Sequence, residues 1–419
     1  MPAMASVEKD PSRSRTPWVV RWRDEAGKQR KRGFARKADA DRLRAEVEHR
    51  LHSGTYVDHN AGRQTLRQFA EAWRTAQPHR PNTAANVRSR LEYHVYPRLG
   101  HRPIAAIRHS ELQGFLTGLP LAASSARQVW NVVVSVFRAA ARDRIIGHNP
   151  CDGVKLPELV RGKVAPLTRE QLDALVAAVP KRYRALVLMD AGTGLRQGEV
   201  FGVCLRDDDG PVVDFLRRTL RVERQIQTRP SGVGCVACRL KTSASYRVVP
   251  LADSILSVLS EHIREFPPVE VEVDDESDPS RPTRRKLLLL FTDSHGRPLH
   301  RHMFNRAVWR PACLRAAATL RERASGEMDA ERAADLTRQA EALAAATQHD
   351  LRHFYASALI RAGLNPKVVA ERLGHDDASL TLRVYSHLWP DDEDRSRQAV
   401  DEALNAAGDV PTMRPQTGS

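Results

Sequence analysis

His349-Asp350-Leu351-Arg352-His353, Leu373-Gly374-His375 and Thr381-Leu382-Arg383-Val384-Tyr385 fall within one short span near the end of a 419-residue chain. Tyr385 stands ten residues after His375, and His375 stands twenty-three after Arg352. Working upstream, Leu240-Lys241-Thr242 and Thr193-Gly194-Leu195-Arg196-Gln197-Gly198-Glu199 add a lysine and a second arginine. Two arginines, two histidines, a lysine and a tyrosine suffice to break a phosphodiester with a side-chain nucleophile and no metal.

Each residue type answers a demand of that reaction. Attack on phosphorus puts extra negative charge on the two non-bridging oxygens, and fixed cationic donors must stabilise it. Arg196 and Arg352 each offer a planar fork that matches two oxygens. Gly192 and Gly194 suit a sharp turn that presents Arg196 at the start of the next helix. Tyr385, with an ordinary pKa of about 10, needs its proton removed or shared by a neighbour. His349 or His375 can do this, or can donate hydrogen bonds to the phosphate. The departing oxygen needs a proton, and Lys241 is the only lysine between Lys181 and Lys286. Glu199, one helical turn after Arg196, is suited to orient a basic partner. His353 reads as buried support rather than chemistry.

In order and spacing these residues resemble the tyrosine recombinases, the phage-type integrases. The resemblance covers roughly residues 18–400 and is strongest from 168 to 390. It implies a multidomain α+β chain built from a small β-sheet-plus-helix N-terminal domain, an all-α core-binding domain and a mixed, mainly α catalytic domain with a small antiparallel sheet. The corresponding ranges are 1–60 for the arm-type DNA-binding domain, 61–150 for the helical core-binding domain, 151–165 for a linker, 166–400 for the catalytic domain and 401–419 for a tail. The two larger domains are expected to close as a C-shaped clamp around DNA. The catalytic set carried over is Arg196, Lys241, His349, Arg352, His375 and Tyr385, with the lysine on a β-hairpin. By the same resemblance, Tyr385 attacks the scissile phosphate to give a 3′-phosphotyrosine and a free 5′-hydroxyl. Two such rounds on four protomers exchange strands through a Holliday junction, with no ATP and no metal. Double-stranded DNA with core and arm attachment sites, a tetramer on DNA, a host DNA-bending factor and an excisionase are the partners it implies. An arm-type domain favours integration of a phage or integrative element. The alternatives are a type IB topoisomerase acting as a monomer, and a DNA-binding regulator that has kept the fold and lost catalysis. The intact set of six residues argues against the regulator.

Bulk composition agrees with a polyanionic partner. The formal charge is +15, from 66 basic against 51 acidic residues. Only ten of the basic residues are lysine, and guanidinium groups suit bidentate phosphate contacts better than ammonium groups do. The five cysteines, an odd number in a long chain, point to a reduced cytoplasmic setting rather than a disulfide framework. No apolar run is long enough to span a bilayer, so no membrane partner is expected.

Residues 1–16 are polar and read as loose. Trp18–Arg23 and Gln29–Phe34 read as strands about a turn over Asp24–Lys28, and Ala38–Leu51 reads as a helix. Through residue 50 there are fourteen basic and eight acidic side chains. Arg21, Arg23, Arg30, Lys31 and Arg32 are the candidate DNA contacts here, against a solvated basic face as the plainer reading. Gly54–Arg63 reads as a hinge. Helices are expected from Thr65, over Thr83–Leu99, Ser110–Leu119 and Ser124–Ile146, ending at Asn149-Pro150. Thr168 and Gln171 form a capping box that opens a helix through Val179. Pro267–Lys286, proline-rich with an acidic block, reads as a solvated loop off the DNA. Ala316–Ala346 reads as helical, interrupted at Ser325-Gly326, with no chemistry. Cys235-Val236-Ala237-Cys238 lacks a second cysteine pair and reads as insertion-loop cysteines without a metal.

Overall fold

A computed structural model describes residues 5–23, 27–53, 61–159, 162–207, 209–278, 281, 283–389 and 393–405. The chain folds as two compact units that divide between residues 161 and 162.

The first unit begins with β1 (Ser6–Lys9), β2 (Trp18–Arg23) and β3 (Gln29–Phe34), antiparallel in that order, followed by α1 (Lys37–His52). The expected pair of strands and the helix are present. The loose N-terminus is corrected: Ser6–Lys9 pairs with Arg21–Trp18, and Ala5 is buried in the small cluster with Val47, Trp22, Leu43 and Leu51. A strand needs only ladder partners on one edge and one apolar anchor, which a polar composition hides. Residues 24–26 of the expected turn, 54–60 of the expected hinge and 406–419 of the expected tail lie outside the described residues.

Five helices follow: α2 (Leu66–Ala76), α3 (Pro81–Arg90), α4 (Tyr96–Leu99), α5 (His109–Thr117) and α6 (Ala123–Arg142). Thr65 and Gln68 cap α2 reciprocally. The single expected helix over 83–99 is α3 and α4 joined by a π-turn at Leu91–Val95. Pro97 lacks the N–H that a regular ladder needs there. Val87, Leu91, Val95 and Leu99 still share one buried face, packed with Phe69, Val133 and Phe137.

In the second unit α7 (Arg169–Ala178) opens on the Thr168–Gln171 capping box, with both hydrogen bonds made. Then come α8 (Lys181–Thr193) and α9 (Gln197–Phe201), and the short pair β4 (Arg206–Asp207) and β5 (Gly210–Pro211). β6 (Val213–Asp214), β7 (Thr219–Val222), β8 (Arg224–Thr228), β9 (Cys235–Arg239) and β10 (Arg247–Pro250) precede α10 (Asp253–Glu265). β11 (Val269–Asp275) and β12 (Thr283–Leu289) form a hairpin. The remainder is helical: α11 (Arg301–Phe304), a π-turn at Asn305–Trp309, α12 (Arg310–Gly326), α13 (Ala330–Ala345), α14 (His349–Arg361), α15 (Pro366–Leu373), α16 (Ala378–Tyr385) and α17 (Glu393–Asn405).

The strands make two small sheets, β10-β7-β6 and β12-β11-β9-β8, antiparallel except for the β9–β11 pair. The expected solvated loop at Pro267–Lys286 is therefore corrected. Val269, Val271 and Val273 alternate with Glu270, Glu272 and Asp274, the period of a half-buried strand, and Val273 joins the core with Leu287 and Leu289. The helical stretch before His349 is the hairpin α12–α13, broken near Ser325-Gly326 and packed on α7 through Leu320, Leu336 and Leu343.

Candidate active site

Arg196 owes its position to a glycine. α8 ends at Gly194 in the left-handed region (φ 62°), where a Cβ would come within 2.4 Å of the Tyr355 ring. The chain then turns through buried Leu195, and Arg196 becomes the N-cap of α9. Glu199 answers from the first turn. Its carboxylate accepts from the Arg196 backbone N–H at 3.0 Å and from Arg196 Nη1 at 2.9 Å. Arg196 also donates to the Gly374 carbonyl at 2.9 Å and to Ser245 Oγ at 3.2 Å. Gly374, again left-handed at φ 64°, lets α15 end against Ser245 with no side chain between them.

α14 supplies the second guanidinium. His349, Arg352 and His353 are spaced three and four residues apart, so they share one helical face. Arg352 is 2% exposed and donates to the Gly194 and Leu373 carbonyls. The Tyr385 ring is 2% exposed, within a cluster formed by Tyr355, Ala356, Ile360, Val369 and Leu373. Its hydroxyl lies 2.6 Å from His353 Nδ1. The His349 ring meets the His353 ring edge-on, with centroids 4.8 Å apart. His375 bonds Thr381 Oγ1 through Nδ1 at 2.8 Å. His387, which carries no expected role, bonds the Val164 carbonyl.

The electrostatics show how tightly these groups are gathered. Burial lowers Arg352 to about 9, helped by Arg196, so it remains cationic at neutral pH. Burial and then Arg352, Arg196, His349 and Arg247 push His375 down to about 4. His349, whose ring still reaches solvent, is likewise held at about 4 by the surrounding protein and the neighbouring cations. Burial raises the Tyr385 phenol to about 12, so it is protonated at neutral pH without help.

Lys241 is exposed and sits in a bulge. β7 and β8 are separated only by Glu223; β9 returns along β8 and β10 along β7, with residues 240–246 looping out between them. The expected turn and following strand are there, but β10 pairs with β7 rather than with β9. Within the bulge Thr242 and Ser245 are hydrogen-bonded at 3.0 Å, which ties the segment to Arg196 through Ser245.

One residue of the cluster was not singled out from the sequence. Arg247 is 6% exposed in its side chain and reaches Glu199 Oε2 at 2.8 Å, so one carboxylate serves two arginines. Its only sequence signal is its place after Lys241 at the head of a β-strand, too weak among so many arginines. A second arrangement was equally hidden. Gln197 donates to Gln348 and Asn305, and Gln348 donates to Asp190, linking the neighbours of Arg196 and His349. Burial raises Asp190 to about 8, with Gln348 and Arg352 pulling the other way. Beside these residues runs an open groove lined by Arg196, Gln225, Arg301, Asn305, Arg310 and His349.

The N-terminal sheet divides the five basic residues expected there. Arg21 pairs with Lys31 across β2–β3, and Arg23 with Gln29. Residues opposite each other share a face, so Arg21, Arg23 and Lys31 lie on the face away from Trp22, which packs with α1. Arg30 and Arg32 register on the Trp22 face, where Arg32 stacks 5.4 Å from the Phe34 ring centroid. Cys235 and Cys238 fall on β9, not on a loop, and positions three apart on a strand point to opposite faces.

With this geometry in view, comparison with known proteins is direct. The model of the phage integrase family matches residues 166–391, and that of the phage integrase central domain matches residues 65–156. The integrase of Mycobacterium phage D29 is 23% identical over 337 residues, 80% of this chain and 78% of the relative. The ICEBs1 integrase of Bacillus subtilis is 23% identical over 334 residues, 78% and 79% of the two chains. The Tn1549 transposon integrase, solved in complex with transposon right end DNA, shares the fold with a TM-score of 0.61 at 19% identity, covering 81% of this chain and 99% of that one. The chain belongs to the phage integrase family. Its activity is that class's: site-specific recombination by a tyrosine-type recombinase.

Proposed function

We propose that Tyr385 is the nucleophile and that Arg196 and Arg352 hold the non-bridging oxygens of the scissile phosphate. His349 and His375 donate hydrogen bonds to the same phosphate, and Lys241 protonates the departing 5′ oxygen. The observation that carries this reading is the gathering of a buried phenol on α16 with Arg196 at the N-cap of α9, His349, Arg352 and His353 on α14, and His375 between α15 and α16. The guanidinium groups now donate to backbone carbonyls; a phosphate would offer stronger, charged acceptors. Glu199 and Arg247 are positioning residues that fix Arg196. The 3′-phosphotyrosine conserves the bond energy, and the 5′-hydroxyl of a partner strand releases it, so the chemistry calls for neither ATP nor a metal.

The substrate in this reading is double-stranded DNA with core and arm sites, joined by a tetramer of the protein. The relative named as the integrase of a phage supports a mobile element as the cargo. The groove with Arg301 and Arg310 offers cations to DNA beside the site, and the Arg21–Arg23–Lys31 face serves arm DNA. Residues 1–60 act as the arm domain, 61–150 as the core-binding domain, 166–400 as the catalytic domain, and a host DNA-bending factor and an excisionase set direction. The cytoplasm is the site of action; among the described residues no helix is long and apolar enough to cross a membrane.

The test is a nicked suicide duplex carrying the element's own attachment site. Wild type forms a covalent adduct and Tyr385→Phe forms none. An adduct of undiminished yield with Tyr385→Phe excludes this nucleophile.

A further inference from the structure

Among the described residues, the histidine hydrogen-bonded to the phenol is His353, not His349 or His375. We propose that His353 is the proton acceptor for Tyr385 in strand cleavage, a role that rests on the reading of Tyr385 as nucleophile. His353 Nδ1 is 2.6 Å from the Tyr385 hydroxyl, a distance suited to O–H donation into a ring nitrogen. His375 uses its own Nδ1 on Thr381. His349 meets the His353 ring edge-on, next to the pair.

The groups facing His353 are His349, Asp350, Arg352 and Tyr385. Burial lowers its pKa; Asp350 opposes this and Arg352 adds to it. The ring is therefore neutral near pH 7, with Nε2 protonated and the Nδ1 lone pair free to accept. The phenol needs that acceptor, because burial has made it a weaker acid than free tyrosine.

The step balances. The phenol proton passes to His353 Nδ1, the Tyr385 oxygen–phosphorus bond forms, and the bond from phosphorus to the 5′ oxygen breaks. That oxygen takes a proton from Lys241. In rejoining, the incoming 5′-hydroxyl gives its proton to Lys241, its oxygen displaces the phenolate, and His353 returns the first proton to Tyr385. Between the two steps an imidazolium lies beside the anionic phosphodiester, a favourable pairing.

The experiment measures single-turnover adduct formation on two suicide duplexes, one ordinary and one with a sulfur in place of the bridging 5′ oxygen. Sulfur leaves without protonation, so the second duplex isolates the nucleophile's own proton transfer. His353→Asn keeps an acceptor near Nδ1 but no base. It is expected to slow adduct formation about 100-fold on both duplexes, whereas Lys241→Ala should recover on the sulfur duplex. The His353→Asn rate should also climb roughly tenfold per pH unit into the alkaline range, as unaided phenol ionisation requires. DNA retention and thermal melting verify the fold of the variant. If Asn is not tolerated, His353→Ala with added imidazole replaces it, and imidazole should restore the rate. The inference is overturned if the variant stays within threefold of wild type with the same pH profile, if the sulfur duplex rescues it, or if imidazole does nothing for the alanine variant. Absence of any adduct with wild type, or its persistence in Tyr385→Phe, would strike the nucleophile assignment instead.

Discussion

Glu199 holds two guanidinium groups with one carboxylate; the carboxylate and Arg247 lie largely out of water, while Arg196 keeps 33% of its side chain exposed. Burial alone would raise its pKa, but Arg247 and Arg196 more than offset that, and the net shift is downward. A depressed acid contributes stability above its unfolded pKa of 4.5 and loses it as pH falls through the folded value. Removing the carboxylate leaves two cations unpaired. Glu199→Ala should therefore cost about 3–5 kcal/mol in urea unfolding at pH 7; a cost under about 1 kcal/mol would show the pair to be dispensable. Asp190 has the opposite sign. Its folded pKa is raised from 3.8 to about 8, so between those values the unfolded chain ionises while the folded one does not, and stability falls as pH rises. One of its oxygens has no hydrogen-bond partner. Asp190→Asn should gain on wild type by about 2 kcal/mol between pH 6 and pH 8, read from paired urea curves; parallel curves would contradict the shift.

At the scale of elements, the two hairpins preceding α14 are structural parts of the second unit rather than appendages. Leu287 on β12 is 2% exposed and belongs to its main core. Leu287→Ala should cost about 2–5 kcal/mol in urea, whereas a side chain on a solvated loop would cost next to nothing. The strand was missed because prolines and acidic residues at 267–282 masked the valine alternation, and because a parallel partner, β9, leaves no local signature. Most other elements were legible. The capping box at Thr168, the four-residue apolar spacing along α3–α4 and the glycine turn before Arg196 are local rules with local causes. The catalytic candidates were legible for a different reason, their order and spacing. What spacing could not give was who touches whom. The Arg247–Glu199 pair, the Gln197–Gln348–Asp190 chain and the His353–Tyr385 contact each join residues more than thirty positions apart.

For the whole molecule, the phenol packs against its own chain, in a cluster with α14 and α15. Each protomer should then cleave with its own tyrosine. Mixing Tyr385→Phe with Arg352→Ala protein should restore no adduct, since neither protomer holds a complete site; recovered cleavage would mean that the tyrosine is donated between subunits. A chain of charge +15 that neutralises several phosphates at once should also lose DNA affinity steeply with salt. Replacing Arg21 and Lys31 with alanine should lower the log–log slope on arm DNA by about 2, leaving core DNA unchanged; an unaltered slope would move the arm contacts elsewhere. The most direct test of the account as a whole is to trap the adduct on a suicide duplex, digest it with trypsin and nuclease, and locate the bound nucleotide by mass spectrometry. A 3′-linked nucleotide on Tyr385 in the peptide Val384–Arg395 is expected; the label on any other residue would rule out Tyr385 as the nucleophile.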